Sequence, residues 1–564
     1  MSRDDTLAPA ARRSIGRAPA DQPIALLLGG LAIAAALAAR VLWPFDGLYG
    51  QDAFAYFRYA QALWPWLLHG AALPIYYWPA GYPILVALVL PFSGGSSAAG
   101  QLVSGAAAAG TAALTFLLCR ELLPDAPAGR VAALVAGLIV ALSGAVLRAG
   151  LVVMADALAL ACCAAALYAL VRYTRSGRGR WLVATALALG WAIITRWVCG
   201  LLALPLLIHL LTESTKDTKV TKVGKTDMKA RFVRFVPFVD RPMKVTKVGK
   251  TDMKARFVRF MPFVDRPIQM LDRRSSAPLV YWLAAAALGA LIVVPQIIVS
   301  GATGAPPSQQ QWVVAWNIAN AWQRDFTTVD GTQHYALPVA VFYLVQMAWP
   351  SYLAPPLALL CVPGALWLVW RRRWPALALL VGWPLALWLF LSGIPYQNSR
   401  FVLPALPALA GLAGLGFGWL YALVGWRRLL LGGLALALAA GLAWGVRDYR
   451  KLVAYENDQL ALVDWVRTRL PAGSTLITFG ATLTLQHYTD ADVRELYYLE
   501  PPDLDAIVRR GQPTYLLLDV DGTERQWVGL RPQRDYHYLQ AQPGLEVVGQ
   551  RAPYTLFRLK AARR

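Results

Sequence analysis

Five charged side chains stand at or inside apolar segments of this chain and pose its chemical question. Asp52 follows the first apolar segment and opens an aromatic stretch that includes Tyr56, Tyr59, Trp78 and Tyr82. Arg58 lies in the same stretch. Asp156 sits inside a later apolar run, SGAVLRAGLVVMADALALACC, and Arg196 stands in a Thr-Arg-Trp step between two others. Arg400 begins a late apolar segment, just after Tyr396 and Asn398. An ionisable residue held within a membrane-spanning segment is costly and marks a candidate functional site. Arginine beside tyrosine or asparagine at a membrane boundary can hold a lipid-borne phosphate by charge-assisted hydrogen bonds. An acid followed by many rings suits a sugar stacked beside a lipid headgroup, although any single Tyr or Trp there also serves as an interfacial anchor.

The composition says what must position these groups. Of 564 residues, 57% are hydrophobic and 15% charged, yet the formal charge is +22. Ordinary soluble domains are about 45–50% apolar and about 25% charged. With a mean hydropathy of +0.45, disorder and a string of soluble domains are both excluded. Apolar and strongly basic together imply a polytopic membrane protein with basic cytoplasmic loops. No basic-aromatic module stands clear of the apolar segments, so no nucleic-acid partner is expected. The five cysteines lack CxxC spacing and make neither a disulfide framework nor a zinc site.

Apolar runs of spanning length occur at 23–43, 98–118, 131–147, 151–171, 181–196, 197–212, 277–299, 351–370, 374–392, 401–424 and 429–445. The first is too long for a signal-peptide core and reads as an uncleaved span. The stretches 79–92 and 336–349 are shorter and read as interfacial or re-entrant helices. Lys/Arg asymmetry places residues 1–22 and the loops bearing Arg120 and Arg130, Arg172 to Arg180, 213–276, Arg371 to Arg373 and Arg427 with Arg428 in the cytoplasm. Loops 44–97, 300–350 and 393–400 fall outside, with Arg58 and Arg400 as exceptions to their poverty in basic residues. The expected fold class is mainly α: a membrane bundle of about 11 spans over 23–445. The expected location is the plasma (inner) membrane, with residues 446–564 as a small extracytoplasmic α/β domain.

Residues 218–242 and 243–267 are a tandem 25-residue repeat differing only at Thr218/Met243 and Val236/Met261. Two copies are too few for a solenoid. Glu213 to Arg274 carries a net +10, which suits either a neutral insertion in an inner loop or a polybasic patch on anionic lipid. In the C-terminal region, 474–479, 494–499, 514–520, 546–548 and 554–559 read as strands, and 458–470 and 503–510 as helices. Asp519-Val520-Asp521-Gly522 begins like a calcium loop but lacks the later Glu, so it reads as a turn after a strand. His487 and His537 are isolated.

Four motifs in order carry a resemblance. They are Gln51-Asp52 soon after the first span, Trp78-Pro79-Ala80-Gly81-Tyr82-Pro83, Met154-Ala155-Asp156, and Arg400-Phe401-Val402-Leu403-Pro404. Together, over about 23–445, the chain resembles the GT-C superfamily of polyprenyl-phosphate-dependent glycosyltransferases, and within it the protein-mannosyltransferase-like family that includes the aminoarabinose transferases. Two departures stand out. One acid remains where that family commonly has a pair, and Ala80 replaces its second Pro. A lone carboxylate is a poor divalent-cation site, so no metal or other cofactor is expected.

The resemblance implies transfer of one sugar from a polyprenyl-phosphate donor to an acceptor on the outer face, with inversion. Single displacement needs a base for the acceptor and a stabilised leaving phosphate. Asp52 is the implied base. Asp156 would orient acceptor or donor sugar, and Arg400, with Arg58 or Arg196, would neutralise the phosphate. Tyr56, Tyr59, Trp78, Tyr82 and Tyr396 are candidates for sugar or lipid contact. The acceptor stays open among protein, glycolipid, cell-wall polymer and lipid core. The absence of a P-loop or GxGxxG motif agrees with a donor that needs no nucleotide site. A transporter or flippase of a lipid-linked substrate is the alternative, but no repeated halves are visible and the acids cluster at one face. A bare membrane anchor for the C-terminal domain would need far fewer spans.

Overall fold

The structure, a computed structural model, describes residues 21–74, 76–123, 128–213, 277–302, 311–328, 330–542 and 544–560. The duplicated segment and the readings attached to it lie outside the described residues.

All eleven expected apolar segments are helical. The first are α1 (Asp21–Leu42), the loop helices α2 (Gly50–His69) and α3 (Gly81–Val89), and α4 (Ala98–Leu122). Then come α5 (Gly129–Ala141), α6 (Gly144–Leu151), α7 (Asp156–Ser176) and α8 (Gly179–Thr195). After α9 (Trp197–Glu213) and α10 (Ala277–Ala302), a hairpin of β1 (Asp325–Thr328) and β2 (Gly331–His334) precedes α11 (Val339–Met347). The bundle closes with α12 (Pro355–Trp370), α13 (Trp374–Ser392), α14 (Ser399–Leu423) and α15 (Arg427–Arg467). Among the described residues seven of these helices are long and apolar enough to cross a membrane alone, and α5 with α6, bent by 49° at the break between them, meets the same length and composition only as a pair. The helices α8, α9 and α12 are shorter.

The structure corrects two boundaries. The sequence divides 131–147 from 151–171, but α6 runs through that division. The chain leaves helical geometry at Ser143 and again over 152–155. Non-helical backbone at membrane depth survives only where protein satisfies its polar groups. Here the Ser143 hydroxyl donates to the carbonyls of Ser351 and Tyr352. Gln101 Nε2 donates to the Leu151 carbonyl, Ser104 Oγ to that of Val152, and the Val153 amide donates to the Gly47 carbonyl at 2.8 Å. Every partner is far away in sequence. The second correction concerns the last span. Its apolar run ends near 445, but α15 continues for 41 residues in all, to Arg467.

That extension carries the C-terminal domain. Its sheet has the order β4-β3-β5-β7-β6, built from β3 (Thr475–Thr478), β4 (Asp492–Glu495), β5 (Thr514–Asp519), β6 (Leu545–Arg551) and β7 (Tyr554–Leu559). β3 runs parallel to β4 and β5, while β7 is antiparallel to both β5 and β6. On β5, Tyr515 and Leu517 pack against Leu462, Val463 and Val466 of α15, whereas Leu516 and Leu518 face the cluster of Leu504, Ile507, Tyr536 and Leu539. Helices thus cover both faces, which explains an almost continuous apolar strand. The expected strand 494–499 stops at Glu495 and becomes a 3-10 turn. Asp519 caps the next helix by accepting from the Gly522 amide at 2.9 Å, a turn after a strand as the sequence suggested.

Charges divide the bundle into two ends. At one end Asp21 pairs with Arg120 (3.2 Å) and Arg130 (3.8 Å), and Glu121 with Arg172 and Arg175. Asp156 lies at the opposite end of α7, sixteen residues from Arg172, or roughly 24 Å along the axis.

Candidate active site

Four elements bring Asp52, Asp156, Arg196 and Arg400 into contact. Asp52 sits in the first turn of α2, just beyond a reversal made possible by Gly47 and Gly50, both with positive φ. A Cβ on Gly47 would lie 2.7 Å from Gln101 Cγ and 2.8 Å from Val153 Cγ2, so only glycine fits where this turn crosses the broken helix. Asp156 is the first residue of α7, where the helix dipole favours a carboxylate. Arg196 is the extended residue joining α8 to α9. Arg400 enters on the 3-10 turn that begins α14, capped by Asn398, whose side chain accepts from the Arg400 amide at 3.0 Å. Tyr343 fixes that turn by donating to the Tyr396 carbonyl, and Tyr352 by donating to that of Val402.

Arg400 Nη2 donates to Asp52 Oδ2 at 2.9 Å, and Nη1 lies 3.9 Å from Asp156 Oδ2 while also touching Met154 Sδ. Arg196 Nη2 makes an ion contact with Asp156 Oδ1, without an aligned hydrogen bond, and its guanidinium lies over the Phe401 ring. The two acids differ in access. The Asp156 side chain is 5% exposed and that of Asp52 is 35% exposed. Only Asp52 therefore presents a carboxylate that a substrate reaches without rearranging the core.

The other expected site residues divide. Tyr56, Tyr59 and Tyr82 are buried, in a packed wall completed by Tyr76. Tyr59 stacks on Tyr76 at 4.2 Å, and Tyr56 packs on Tyr76, Trp78 and Tyr82. Tyr82 is held by Gly100 and Ser104. Burial raises the Tyr56 phenol above its ordinary range, and it stays neutral beside the cluster. Trp78 and Tyr396 are only half-buried and keep accessible ring surface.

Arg58 does not join the cluster. It lies on the opposite side of α2, bonds to Gln486 of the C-terminal domain, and lines an open cavity of ≈ 400 Å³ with Phe54, Gln61 and His487. Six residues along a helix turn a side chain by about 240°, so Asp52 and Arg58 cannot share a face.

Sequence reasoning missed three residues here. Gln51, read only as a lost acid, accepts from the Leu483 amide at 2.7 Å and donates to Thr484 Oγ1 at 3.0 Å, tying α2 to the helix Thr482–Tyr488. Asp46 accepts from the Tyr488 hydroxyl, and its amide donates to Glu456 on α15. Arg148, on α6, belongs to the electrostatic surroundings of Asp156 and Arg400. It lay in the same apolar string that drew attention to Asp156, and the rule that singled out one singles out the other. Among the described residues no group of three or more His, Cys, Asp or Glu is placed to hold a metal ion.

Residues 78–238 match the family model described as dolichyl-phosphate-mannose-protein mannosyltransferase. No curated protein matches the chain by sequence. ArnT from Cupriavidus metallidurans bound to undecaprenyl phosphate is 15% identical, with a TM-score of 0.57 over 95% of this chain and 98% of that one. Its apo state gives 16%, 0.55, 94% and 97%. The oligosaccharyltransferase of Archaeoglobus fulgidus, tethered to an acceptor peptide, gives 11% and 0.50 over 88% of this chain and 69% of that one. The fold is that of the GT-C glycosyltransferases, and the resemblance seen in the motifs is borne out.

Proposed function

We propose that this protein is an inverting glycosyltransferase that moves a sugar from a polyprenyl-phosphate donor to an acceptor at the outer face of the membrane. The observation that carries the proposal is the Asp52–Arg400–Asp156–Arg196 cluster. It is built from four sequence-distant elements, lies at the end of the bundle away from the basic helix ends, and has one accessible carboxylate. The GT-C fold supports it, as does the undecaprenyl phosphate bound to the structurally similar ArnT. The N-terminus would be cytoplasmic and the C-terminal domain extracytoplasmic, in the plasma membrane.

In the resting protein Asp52 is neutralised by Arg400. A donor phosphate competes for that guanidinium by charge-assisted bidentate bonding. Once Arg400 turns to phosphate, the Asp52 carboxylate is released from its ion pair and is free to accept a proton. It takes the proton from the acceptor hydroxyl as the acceptor oxygen bonds to the anomeric carbon. The carbon–oxygen bond to phosphate breaks with inversion, and polyprenyl phosphate leaves. Asp156, enclosed between two guanidiniums, holds Arg196 and Arg400 in place; this is a different role from contacting a sugar. Trp78 and Tyr396 offer the accessible rings for sugar or lipid.

The test supplies purified protein in lipid nanodiscs with radiolabelled polyprenyl-phosphate sugars and membrane extracts as acceptor source. Transfer that disappears in Asp52→Asn and yields an inverted linkage is expected. Full transfer by Asp52→Asn would remove Asp52 as base, and no transfer from any polyprenyl-phosphate sugar would remove the donor class.

A further inference from the structure

Four rings of the C-terminal domain stand together at one edge of its sheet. β3 lies between β4 and β5, and the three run parallel. Phe479 follows the last residue of β3, Tyr497 and Tyr498 follow β4, and Trp527 follows the short helix Val520–Gln526 that leaves β5. All four thus come off the carboxyl ends of the parallel strands. The crossover helices lie on opposite faces of the sheet. Leu485 of Thr482–Tyr488 packs with Tyr515 and Leu517, whereas Leu504 and Ile507 of Pro501–Arg509 pack with Leu516 and Leu518. The winding therefore reverses between β3 and β5, and in open α/β sheets ligands bind outside the strand ends at such a reversal.

The rings touch in a row. Phe479 meets Trp527 edge-on at 4.7 Å, and Tyr497 packs on Trp527 at 6.1 Å and on Tyr498 at 5.5 Å. Glu495, at the end of β4, accepts from the Tyr497 amide at 3.4 Å, which fixes the turn bearing both tyrosines and sets a carboxylate beside them. The row continues past the domain. The Tyr77 hydroxyl meets the Tyr498 hydroxyl at 3.4 Å, and the Tyr77 ring adjoins that of Trp78 at 6.4 Å. Trp78 packs in turn on Tyr56, which lies one helical turn from Asp52 on α2. A track of rings thus joins the charged cluster to the sheet edge. Tyr77 is 42% exposed and Tyr498 57%, while Trp78, Tyr497, Phe479 and Trp527 are half-buried. A pyranose lays its C–H face on the negative face of such a ring and turns its hydroxyls out to groups such as the Glu495 carboxylate and the two phenols. A hydrocarbon chain laid along the track would cover those polar groups without bonding them.

Resting on the glycosyltransferase reading, we propose that the track from Trp78 through Tyr77, Tyr498 and Tyr497 to Phe479 and Trp527 is the acceptor subsite, and that the acceptor is a saccharide chain of several units. The unit nearest Trp78 is the one whose hydroxyl reaches Asp52. The units behind it stack along the track towards the C-terminal domain.

The experiment places the full-length protein, in phosphatidylcholine nanodiscs, on an array of neutral, amino-substituted and acidic mono- and oligosaccharides, with unglycosylated peptides alongside. Binding of undecaprenyl monophosphate, against undecaprenol, is measured on the same preparations. Wild type should hold an oligosaccharide more tightly than the corresponding monosaccharide. Tyr498→Ala should weaken that binding by about 10- to 30-fold, the usual cost of truncating an aromatic anchor. Tyr77→Ala, on the other side of the junction, should do the same and keeps the proposal falsifiable where Tyr498→Ala fails to fold. Tyr498→Phe, which keeps the ring, should stay within a few-fold of wild type, and all three variants should bind undecaprenyl monophosphate as wild type does. Oligosaccharide binding unchanged in both alanine variants would overturn the proposal. So would a loss in Tyr498→Phe as large as in Tyr498→Ala, because the hydroxyl contact and not the ring face would then be what matters. Binding of peptides and of no saccharide would assign the track to a protein acceptor and overturn it too. Wild type that binds undecaprenyl monophosphate but no saccharide would sink this proposal alone, whereas failure to bind undecaprenyl monophosphate would strike the glycosyltransferase reading itself.

Discussion

Asparagine at Asp156 and asparagine at Asp52 should have opposite signatures, because one carboxylate is enclosed and the other is not. The Asp156 side chain is 5% exposed and that of Arg196 14%. Removing one partner of a buried ion pair leaves the other charge without compensation, at a cost of about 3–5 kcal/mol. Asp156→Asn also changes the cluster from neutral to singly positive, setting Arg196 and Arg400 against each other. The protein should therefore unfold at a clearly lower temperature in detergent and lose transfer activity as the arginines move apart. The Asp52–Arg400 pair is more open, at 35% and 23% exposure, and such pairs contribute about 0–1 kcal/mol. Asp52→Asn should leave the unfolding midpoint nearly unchanged while activity falls by about 10²–10⁴-fold, the usual worth of a positioned general base. The assay pairs thermal unfolding of purified protein with transfer in nanodiscs for both variants. Equal midpoints for Asp156→Asn and wild type would refute the view that Asp156 anchors the arginines. A large drop in midpoint for Asp52→Asn would refute the division of labour between the two acids.

Gln51→Leu removes two bonds to the C-terminal domain and leaves the Leu483 amide unpaired, worth about 1–3 kcal/mol; hydrogen exchange should quicken in Thr482–Tyr488, while exchange equal to wild type would show that Gln51 does not dock the domain. Gly47→Ala should destabilise the protein by about 1–3 kcal/mol through backbone strain and the clash with Gln101 and Val153, read as a lower unfolding midpoint. Burial and the adjacent Asp46 push the Glu456 carboxyl, beyond the apolar part of α15, up to about 9. Its folded value lies above its unfolded one, so the stability it contributes is complete below about pH 4, declines as pH rises above that, and is gone once pH has passed through about 9. The unfolding midpoint of wild type should fall between about pH 5 and 9 more steeply than that of Glu456→Gln, and parallel curves would show that Glu456 is not the group involved.

Much was legible in the sequence because membrane proteins write their constraints locally. Twenty apolar residues in a row must cross or be buried, basic residues collect at one set of helix ends, and a charge inside an apolar run needs a reason. Those rules gave the helical bundle, the strand-bearing C-terminal region, and Asp52, Asp156, Arg196 and Arg400 as residues of interest. The order of the motifs gave the resemblance that the fold bears out. Tertiary structure decided what these residues do to one another. That Arg400 reaches both Asp52 and Asp156 follows from where α14 begins relative to α2 and α7, a matter of packing between segments hundreds of residues apart. Arg58 looked equivalent to Arg400 by composition, yet helical rotation turns it to the C-terminal domain. The break that starts α7 at Asp156 depends on Gln101, Ser104 and Gly47 satisfying an unwound backbone, and no local pattern announces that. Helix propensity and hydropathy act over a few turns of chain, whereas ion pairing and backbone satisfaction are settled only when distant segments meet.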